Sequence, residues 1–215
     1  MKTKAKILAK ALELFNAEGH EAVTTRQIAQ ALGMSQGNLC YHFPQKKDLV
    51  MGLYQALVAE FDQTFKNLQM REYSFEEAFA QTHQMLGIQS RYQFLMHDFV
   101  RIMQTYPEIN SHFRALQALR HQQLQLLFKQ LNARGMAHLP LEGPAFQRLV
   151  EQYFIVGNAW MGEAAILNPQ PKPELLQHYC AVLLGLLYPW LSPAGQAAFD
   201  QGFNAFQKSL SLKPS

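Results

Sequence analysis

The stretch from Thr24 to Leu49 constrains the fold of this chain more than any other, because two short helical patterns meet there at a tight turn. Thr24 and Gln27 have the spacing of a capping box, in which each side chain binds the other residue's backbone N–H and starts a helix. Gly33 can adopt the left-handed conformation that ends this helix, and Ser35 can cap the next one. The pattern predicts a helix-turn-helix.

Apolar residues lie on only one side of each predicted helix. Ile28 and Leu32 are one turn apart in the first helix, and Leu39 and Phe43 are one turn apart in the second. This spacing predicts that the four side chains form the core of the motif. The other face of the second helix has side chains that can bind base edges or phosphates, namely Gln36, Asn38, Tyr41 and His42.

The excess positive charge of the chain lies with this motif. Of the formal net charge of +3, residues 1–50 supply seven Lys or Arg against four Asp or Glu, and the remaining residues are balanced. This placement is favourable for contact with phosphates. A chance excess at the N-terminus explains it equally well.

Cysteine usage and hydropathy predict a cytoplasmic protein without a membrane anchor. Cys40 and Cys180 are too few for a disulfide framework or a zinc cluster. Charged residues interrupt the N-terminal helix, so it does not have the pattern of a signal peptide. The longest apolar run, Tyr179 to Leu191, contains Pro189 and is too short to span a bilayer.

The rest of the chain has the apolar spacing of helices and almost no strand pattern, which predicts an all-α fold. With the motif we expect nine or ten helices. The others are predicted at residues 1–18, 45–68, 74–86, 92–106, 107–134, 144–166, 174–191 and 192–210. Gly87 is expected to end the fifth helix of the chain.

Residues 1–50 resemble the DNA-binding domain of the tetracycline-repressor (TetR/AcrR) family of bacterial transcription regulators. The resemblance rests on the first helix ending in Gly19 and on the segments Thr24-Thr25-Arg26-Gln27-Ile28-Ala29, Leu32-Gly33-Met34-Ser35, Gly37-Asn38-Leu39-Cys40-Tyr41-His42-Phe43 and Lys46-Lys47-Asp48-Leu49. It implies a three-helix DNA-binding domain at residues 1–46. Residues 47–215 would then form a larger helical domain for ligand binding and dimerisation.

The resemblance also implies which residues meet double-stranded DNA. Some of these residues would contact the DNA backbone or the edge of a groove, and others would contact the bases. The residues are Thr25, Arg26, Gln36, Gly37, Asn38, Tyr41, His42 and Lys46. Cys40 departs from the family pattern, which usually has an aromatic residue there. Its thiol either packs against its neighbours or senses redox state, and no nearby cysteine could resolve an oxidised form.

The last long helices have more apolar residues than one core face requires, and a four-helix interface between two copies of the chain would account for this excess. The interface residues that we predict are Phe154, Gly157, Trp160, Leu183, Leu186 and Leu187. The alternative is that both helices are simply buried in the monomer.

The middle helices contain many large, soft side chains, and the resemblance implies that this region encloses a pocket for a small-molecule effector. The candidate lining residues are Phe61, Phe65, Phe94, His97, Asp98, Phe113 and Tyr153. Side chains of these types line pockets but also fill ordinary cores. The sequence does not identify the effector.

These observations favour a ligand-responsive transcriptional regulator, most simply a homodimeric repressor of a palindromic operator. No catalytic residue, metal ligand or cofactor is predicted. An all-helical metal enzyme is the first alternative, but it would require a Glu-x-x-His pair, and the pairs Glu108/His112 and Glu174/His178 are four apart. The second alternative is a helical ligand-binding or adaptor dimer that does not act on DNA.

Overall fold

A computed structural model describes residues 3–66, 74–168 and 174–211, except for the side chains of residues 65 and 66. All the regular elements in these ranges are helices, so the all-α prediction is confirmed. Eleven α-helices lie in the described part of the chain: α1 (Thr3–Glu18), α2 (Thr25–Ala31), α3 (Gln36–His42), α4 (Lys46–Lys66), α5 (Phe75–Arg91), α6 (Gln93–His97), α7 (Phe99–Thr105), α8 (Pro107–Ala133), α9 (Gly143–Leu167), α10 (Glu174–Gly185) and α11 (Pro193–Ser211).

The contacts between residues group the chain into two compact units. The first consists of residues 1–63 and 88–112, and the second of residues 64–87 and 113–215. The boundary that we predict after residue 46 is a functional one, between a DNA-binding domain and a regulatory domain. It differs from this division by contacts and stays a prediction.

The core of the first unit is formed by the apolar faces that the sequence pattern indicates. Ile7 and Phe15 of α1, Ile28 of α2, Leu39 of α3 and Leu49 of α4 are all buried. Burying apolar surface is the main favourable term in folding, at about 25 cal/mol for each Å² removed from water. The short helices α2 and α3 therefore depend on this shared core, because helices of their length are marginal alone.

The structure corrects two of the expected helix boundaries near the middle of the chain. Gly87 does not end a helix, since α5 continues through it to Arg91. A glycine in a helix interior costs only about 1 kcal/mol, and the buried side chains of Leu86 and Ile88 hold this segment in place. The single helix expected at residues 92–106 is instead two helices, because the backbone leaves helical geometry at Asp98.

A third correction concerns the end of α10, which we expected at Leu191 and which lies at Gly185. After it the backbone tightens, with Leu187 N donating to Leu184 O at 3.0 Å. A short 3-10 turn follows at Tyr188–Trp190. Pro189 has no N–H to continue the α-helical ladder, which gives this early end its physical reason.

In the second unit, α11 is held by aromatic contacts and by close backbone approaches at Gly195 and Gly202. Phe79 of α5 is buried, and its ring packs against the rings of Phe199, Phe203 and Phe206 at 4.9–5.8 Å. At Gly195 a Cβ atom would stand 2.0 Å from the carbonyl oxygen of residue 136, so only glycine fits there. None of the helices in the described ranges is long and apolar enough to cross a membrane.

Candidate nucleic-acid interface

The predicted helix-turn-helix is built by the capping bonds that its sequence indicates. Thr24 Oγ1 accepts from Gln27 N at 3.2 Å, while Gln27 Oε1 accepts from Thr24 N at 2.7 Å. Gly33 has a φ of 64°, which is the left-handed conformation expected for it. Ser35 Oγ then accepts from the backbone N of residue 38 at 3.2 Å and starts α3. Each turn signal of the sequence therefore has its structural counterpart.

Helix α3 buries one side and presents the other to solvent. Leu39 is completely buried, whereas Tyr41 is 83% exposed. Most of the predicted DNA-contacting residues are exposed, and three of them are half-buried: exposed are Arg26, Gln36, Gly37, Asn38 and Tyr41, and half-buried are Thr25, His42 and Lys46. The arrangement leaves hydrogen-bonding side chains free of the core on a helix of seven residues, which is the requirement for reading a groove.

Lys46, at the start of α4, makes an intramolecular contact that the sequence did not indicate. Its Nζ donates to the backbone oxygen of Glu21 at 2.8 Å. Burial lowers the pKa of the Lys46 amine, and the nearby Glu21 carboxylate opposes that shift. One Nζ–H is thus used to tie α4 to the loop before α2, and an ammonium group has two further donors for a phosphate.

Glu21 is itself paired with Arg101 of α7. The Arg101 guanidinium lowers the pKa of the Glu21 carboxyl, chiefly through this hydrogen bond, so the carboxylate is charged at neutral pH. Because both groups are well exposed, the pair contributes little to stability. Instead, the Arg101 guanidinium offsets the negative charge of Glu21, which lies beside the lysine that we expect to bind phosphate, Lys46.

A second set of contacts fixes the end of α1 within the first unit. His20 is 2% exposed, and its Nδ1 lies 3.0 Å from Asp98 Oδ2. The Asn16 side chain donates to the backbone oxygen of Arg91 at 2.8 Å and accepts from the backbone N of Phe94 at 3.1 Å. Sequence reasoning missed His20 and Asn16, because their partners are more than 70 residues away along the chain.

The residues predicted to line an effector pocket are divided between the two units. Phe61, Phe94, His97 and Asp98 belong to the first unit, and Phe113 and Tyr153 belong to the second. Phe94 is buried against Phe15 and His20, and Asp98 binds His20, so these two residues have roles in the first unit. His97 is exposed. The side chain of Phe65 lies outside the described residues.

The residues predicted for the dimer interface pack largely within the second unit. Trp160, Leu183 and Leu187 are buried, and the Trp160 ring contacts Tyr179 at 5.1 Å. Phe154, Gly157 and Leu186 are half-buried. The large apolar side chains that these helices do expose are others, namely Ile155, Ile166, Leu167 and Val182.

The two cysteines have different environments, and we expect them to react differently. Cys40 is half-buried on α3, whereas Cys180 is completely buried on α10. Burial raises the pKa of the Cys180 thiol to about 12.

Because the thiolate is the nucleophile, native protein at pH 8 should release one equivalent of chromophore from a disulfide reagent, and denatured protein should release two. Cys40→Ser should abolish the native reaction, and rapid labelling of Cys180 in that variant would contradict the assignment.

No group of three or more His, Cys, Asp or Glu that could hold a metal ion occurs among the described residues. Of the two Glu/His pairs considered for metal chemistry, His112 has a different partner. Its Nδ1 lies 3.0 Å from the hydroxyl of Tyr54, with the two rings at right angles.

Comparison with known families gives two matches that together span most of the chain. Residues 7–52 match the family described as bacterial regulatory proteins, tetR family. Residues 56–199 match the family described as bacterial transcriptional repressor, TetR. The first match includes the helix-turn-helix, and the second includes the whole of α5 to α10.

Individual proteins give the same result. The HTH-type transcriptional regulator QacR of Staphylococcus aureus is 27% identical over 138 residues, or 63% of this chain and 73% of QacR. The class A tetracycline repressor of Escherichia coli is 39% identical over 54 residues, a quarter of each chain. A TetR-family regulator from Marinobacter aquaeolei has the same fold, with a TM-score of 0.84 at 24% identity over 96% of this chain and 99% of that one.

The polar face of α3 is exposed, as a DNA-binding domain requires. The matched families cover both this motif and the helices that follow it. The chain therefore belongs to the TetR family of bacterial transcriptional regulators, which are DNA-binding proteins and not enzymes.

Proposed function

We propose that the chain is a ligand-responsive repressor that binds a palindromic operator as a homodimer in the cytoplasm. The observation that carries the DNA-binding part is the arrangement of α3, with Leu39 buried and the polar residues Gln36 and Asn38 exposed on the far side. Gln and Asn side chains can form paired hydrogen bonds with adenine in the major groove. Repression is supported by the description of the matched family as a transcriptional repressor.

A dimer is supported by an exposed apolar surface on α9 and α10, which we call the outer stripe and define as Ile155, Ala159, Gly162, Ile166 and Val182. The first four lie on one face of α9, since they follow a spacing of three or four residues. Apart from the chain neighbours of Gly162 and the nearby backbone of α9 itself, no described atom lies within 4 Å of the position that a Cβ would take there. A second helix could therefore approach closely there.

The outer stripe suits a second copy of the same chain. A two-fold symmetric interface places the same patch on both subunits, so an apolar patch meets an apolar patch. Two copies of α3 related in this way would be about 34–36 Å apart, one turn of DNA, if they read successive major grooves. An operator with two inverted half-sites follows from this symmetry.

Response to a small molecule is supported by the relatives rather than by one site in this chain. A regulator from Saccharomonospora viridis that shares the fold, with a TM-score of 0.67, was solved in complex with choline. We propose that this chain also releases its operator when an effector binds the helical region after α4.

Selection of binding sites from random duplex DNA by the full-length protein would test the proposal. We expect enrichment of an inverted repeat, and lower transcription from a promoter that overlaps it. Enrichment of direct repeats or single half-sites would contradict a symmetric dimer. Failure to enrich any sequence at low salt would contradict operator recognition.

Replacing Arg26 by alanine should weaken binding to all duplexes by a similar factor. Arg26 is exposed at the start of α2, where a phosphate contact carries no sequence information. Loss of one such contact should reduce the slope of log K against log salt by about one. Fluorescence anisotropy over a salt series measures this slope.

Lys129→Ala is the matched control for that variant, because Lys129 is an exposed cation of the second unit. Its salt slope should equal that of the unmodified protein. An unchanged slope in Arg26→Ala, or an equal change in the two variants, would remove Arg26 from the phosphate contacts.

A further inference from the structure

The loop between α1 and α2 is held in place by a buried histidine. His20 is 2% exposed, and its ring contacts the rings of Phe15 and Tyr106 at 6.4 and 6.5 Å. Its Nδ1 also lies 3.0 Å from Oδ2 of Asp98, the residue immediately before α7. A ring that is packed among aromatic neighbours and paired with a carboxylate has little freedom to move. The backbone of the loop is therefore fixed at this residue.

The next residue, Glu21, binds two cations through different groups. Its carboxylate pairs with Arg101 of α7, and its backbone oxygen accepts from Lys46 Nζ at 2.8 Å. The side chain of Glu21 is 57% exposed, so it can change rotamer although the backbone is held. A change of rotamer could bring the carboxylate to Lys46, because that ammonium group already bonds the carbonyl of the same residue.

A pairing of Lys46 with the Glu21 carboxylate would act against DNA binding. An ammonium group has three N–H donors, and the contact with the Glu21 backbone uses one of them. A carboxylate on the remaining donors would take the place of a phosphate and would repel the phosphates nearby. Burial lowers the pKa of Lys46 and the Glu21 carboxylate opposes this shift, so the two charges lie close enough to affect each other.

We propose that Arg101 is a positioning residue for DNA binding, which holds the Glu21 carboxylate and so keeps Lys46 available for a phosphate. The inference rests on the proposed function, in which Lys46 contacts the DNA backbone, and it adds a residue of α7 that acts through Glu21. Asp98 supports the arrangement, because it lies one helical turn before Arg101 and its contact with His20 fixes that end of α7 beside the loop.

Arg101→Ala should weaken binding to a fluorescent duplex of unrelated sequence by about two- to fivefold, the range of one exposed ion pair. The slope of log K against log salt should fall toward that of Lys46→Ala, which lacks one phosphate contact and should lie about one below the unmodified protein. Glu21→Gln keeps the shape of the side chain without its charge. The double variant Arg101→Ala/Glu21→Gln should therefore recover the affinity and the slope of Glu21→Gln alone. Fluorescence anisotropy over a salt series measures both quantities.

A general effect of net charge would give a different pattern. In that case Glu21→Gln would raise the affinity by the same factor with and without Arg101. We expect a small rise when Arg101 is present and a larger one when it is absent, and no effect of Arg101→Ala in the Lys46→Ala background. Equal factors, a double variant as weak as Arg101→Ala, or a full effect of Arg101→Ala without Lys46 would each overturn the inference.

Arg91→Ala is the matched control, because Arg91 lies in the same unit, is 56% exposed and pairs with Glu60. It loses the same charge as Arg101→Ala but should bind DNA as the unmodified protein does. The urea midpoints of both variants should be unchanged, since exposed ion pairs contribute little to stability. Equal weakening of DNA binding in the two variants would overturn the role of Arg101. So would a lower urea midpoint in Arg101→Ala that Glu21→Gln does not reverse.

The use of a duplex of unrelated sequence separates this inference from the proposed function, because a phosphate contact does not depend on base sequence. If the protein selects an inverted repeat but Arg101→Ala binds DNA without loss, the proposed repressor stands and the role of Arg101 fails. If the expected pattern is found on the unrelated duplex but no sequence is enriched by selection, the role of Arg101 stands and operator recognition fails.

Discussion

Ile155→Glu is expected to convert the proposed homodimer into monomers and to lower the affinity for a full palindromic operator by about 10²- to 10⁴-fold. The affinity of two linked half-site contacts exceeds that of one contact by a factor of this size, because the second contact is effectively intramolecular. Ile155 is 67% exposed in the protomer and stands on the outer stripe near Ala159 and Gly162. A carboxylate buried there against its own symmetry mate would have neither water nor a partner.

Sedimentation velocity measures the oligomeric state, and anisotropy with full and half-site duplexes measures the affinities. Binding to a single half-site should be unchanged, because α3 is not altered. Leu126→Glu is the control: Leu126 is 55% exposed on α8, on the side away from Phe128. If Ile155→Glu remains a dimer at nanomolar concentration while Leu126→Glu dissociates, the interface lies elsewhere.

The DNA-binding motif could be predicted closely from the sequence because its determinants are local. The capping box at Thr24, the positive φ at Gly33 and the cap at Ser35 each involve residues at most three positions apart. Local rules of this kind need no knowledge of the rest of the fold. The contact of Lys46 with the backbone of Glu21 crosses 25 residues, and no periodic pattern indicates it.

The helix boundaries that were wrong show where tertiary packing overrides local preference. Gly87 is a helix breaker by propensity, but the buried side chains on either side of it keep α5 continuous. At Asp98 the reverse happens, and a continuous helical pattern is interrupted at the residue whose carboxylate contacts His20. Propensity is a weak prior of less than about 1 kcal/mol for most residues, and one buried contact exceeds it.

The sequence indicates many apolar residues on α9 and α10, but the pattern does not divide them between core and surface. Trp160 and Leu183 are buried in the protomer, while Ile155 and Val182 are exposed. Because apolar residues also occur on the outer face of α9, the periodicity that separates an inner from an outer face is weaker there. The division becomes visible only when the neighbouring helices are in place.

Leu39→Ala should lower the free energy of unfolding by about 2–5 kcal/mol and abolish operator binding at micromolar protein concentration. Leu39 is the one completely buried residue of α3 among its seven, so this single side chain holds the recognition helix to the core. Removing its isobutyl group leaves a cavity, and the cost combines lost burial with lost contacts. A seven-residue helix has too few internal hydrogen bonds to persist without that attachment. Urea denaturation followed by circular dichroism measures the loss of stability.

Tyr41→Ala separates the attachment of α3 from its contacts with DNA. Tyr41 is on the same helix but 83% exposed, so its removal should change the free energy of unfolding by less than about 0.5 kcal/mol. Operator binding should nevertheless weaken, because the ring and hydroxyl are presented away from the core. If Tyr41→Ala destabilised the fold as much as Leu39→Ala, the exposed face of α3 would serve to stabilise the fold rather than to contact DNA. If Leu39→Ala kept full affinity, the recognition helix would not depend on its buried face. Both variants should weaken operator binding and only one should lower stability, which is what a helix with one structural and one DNA-contacting side requires.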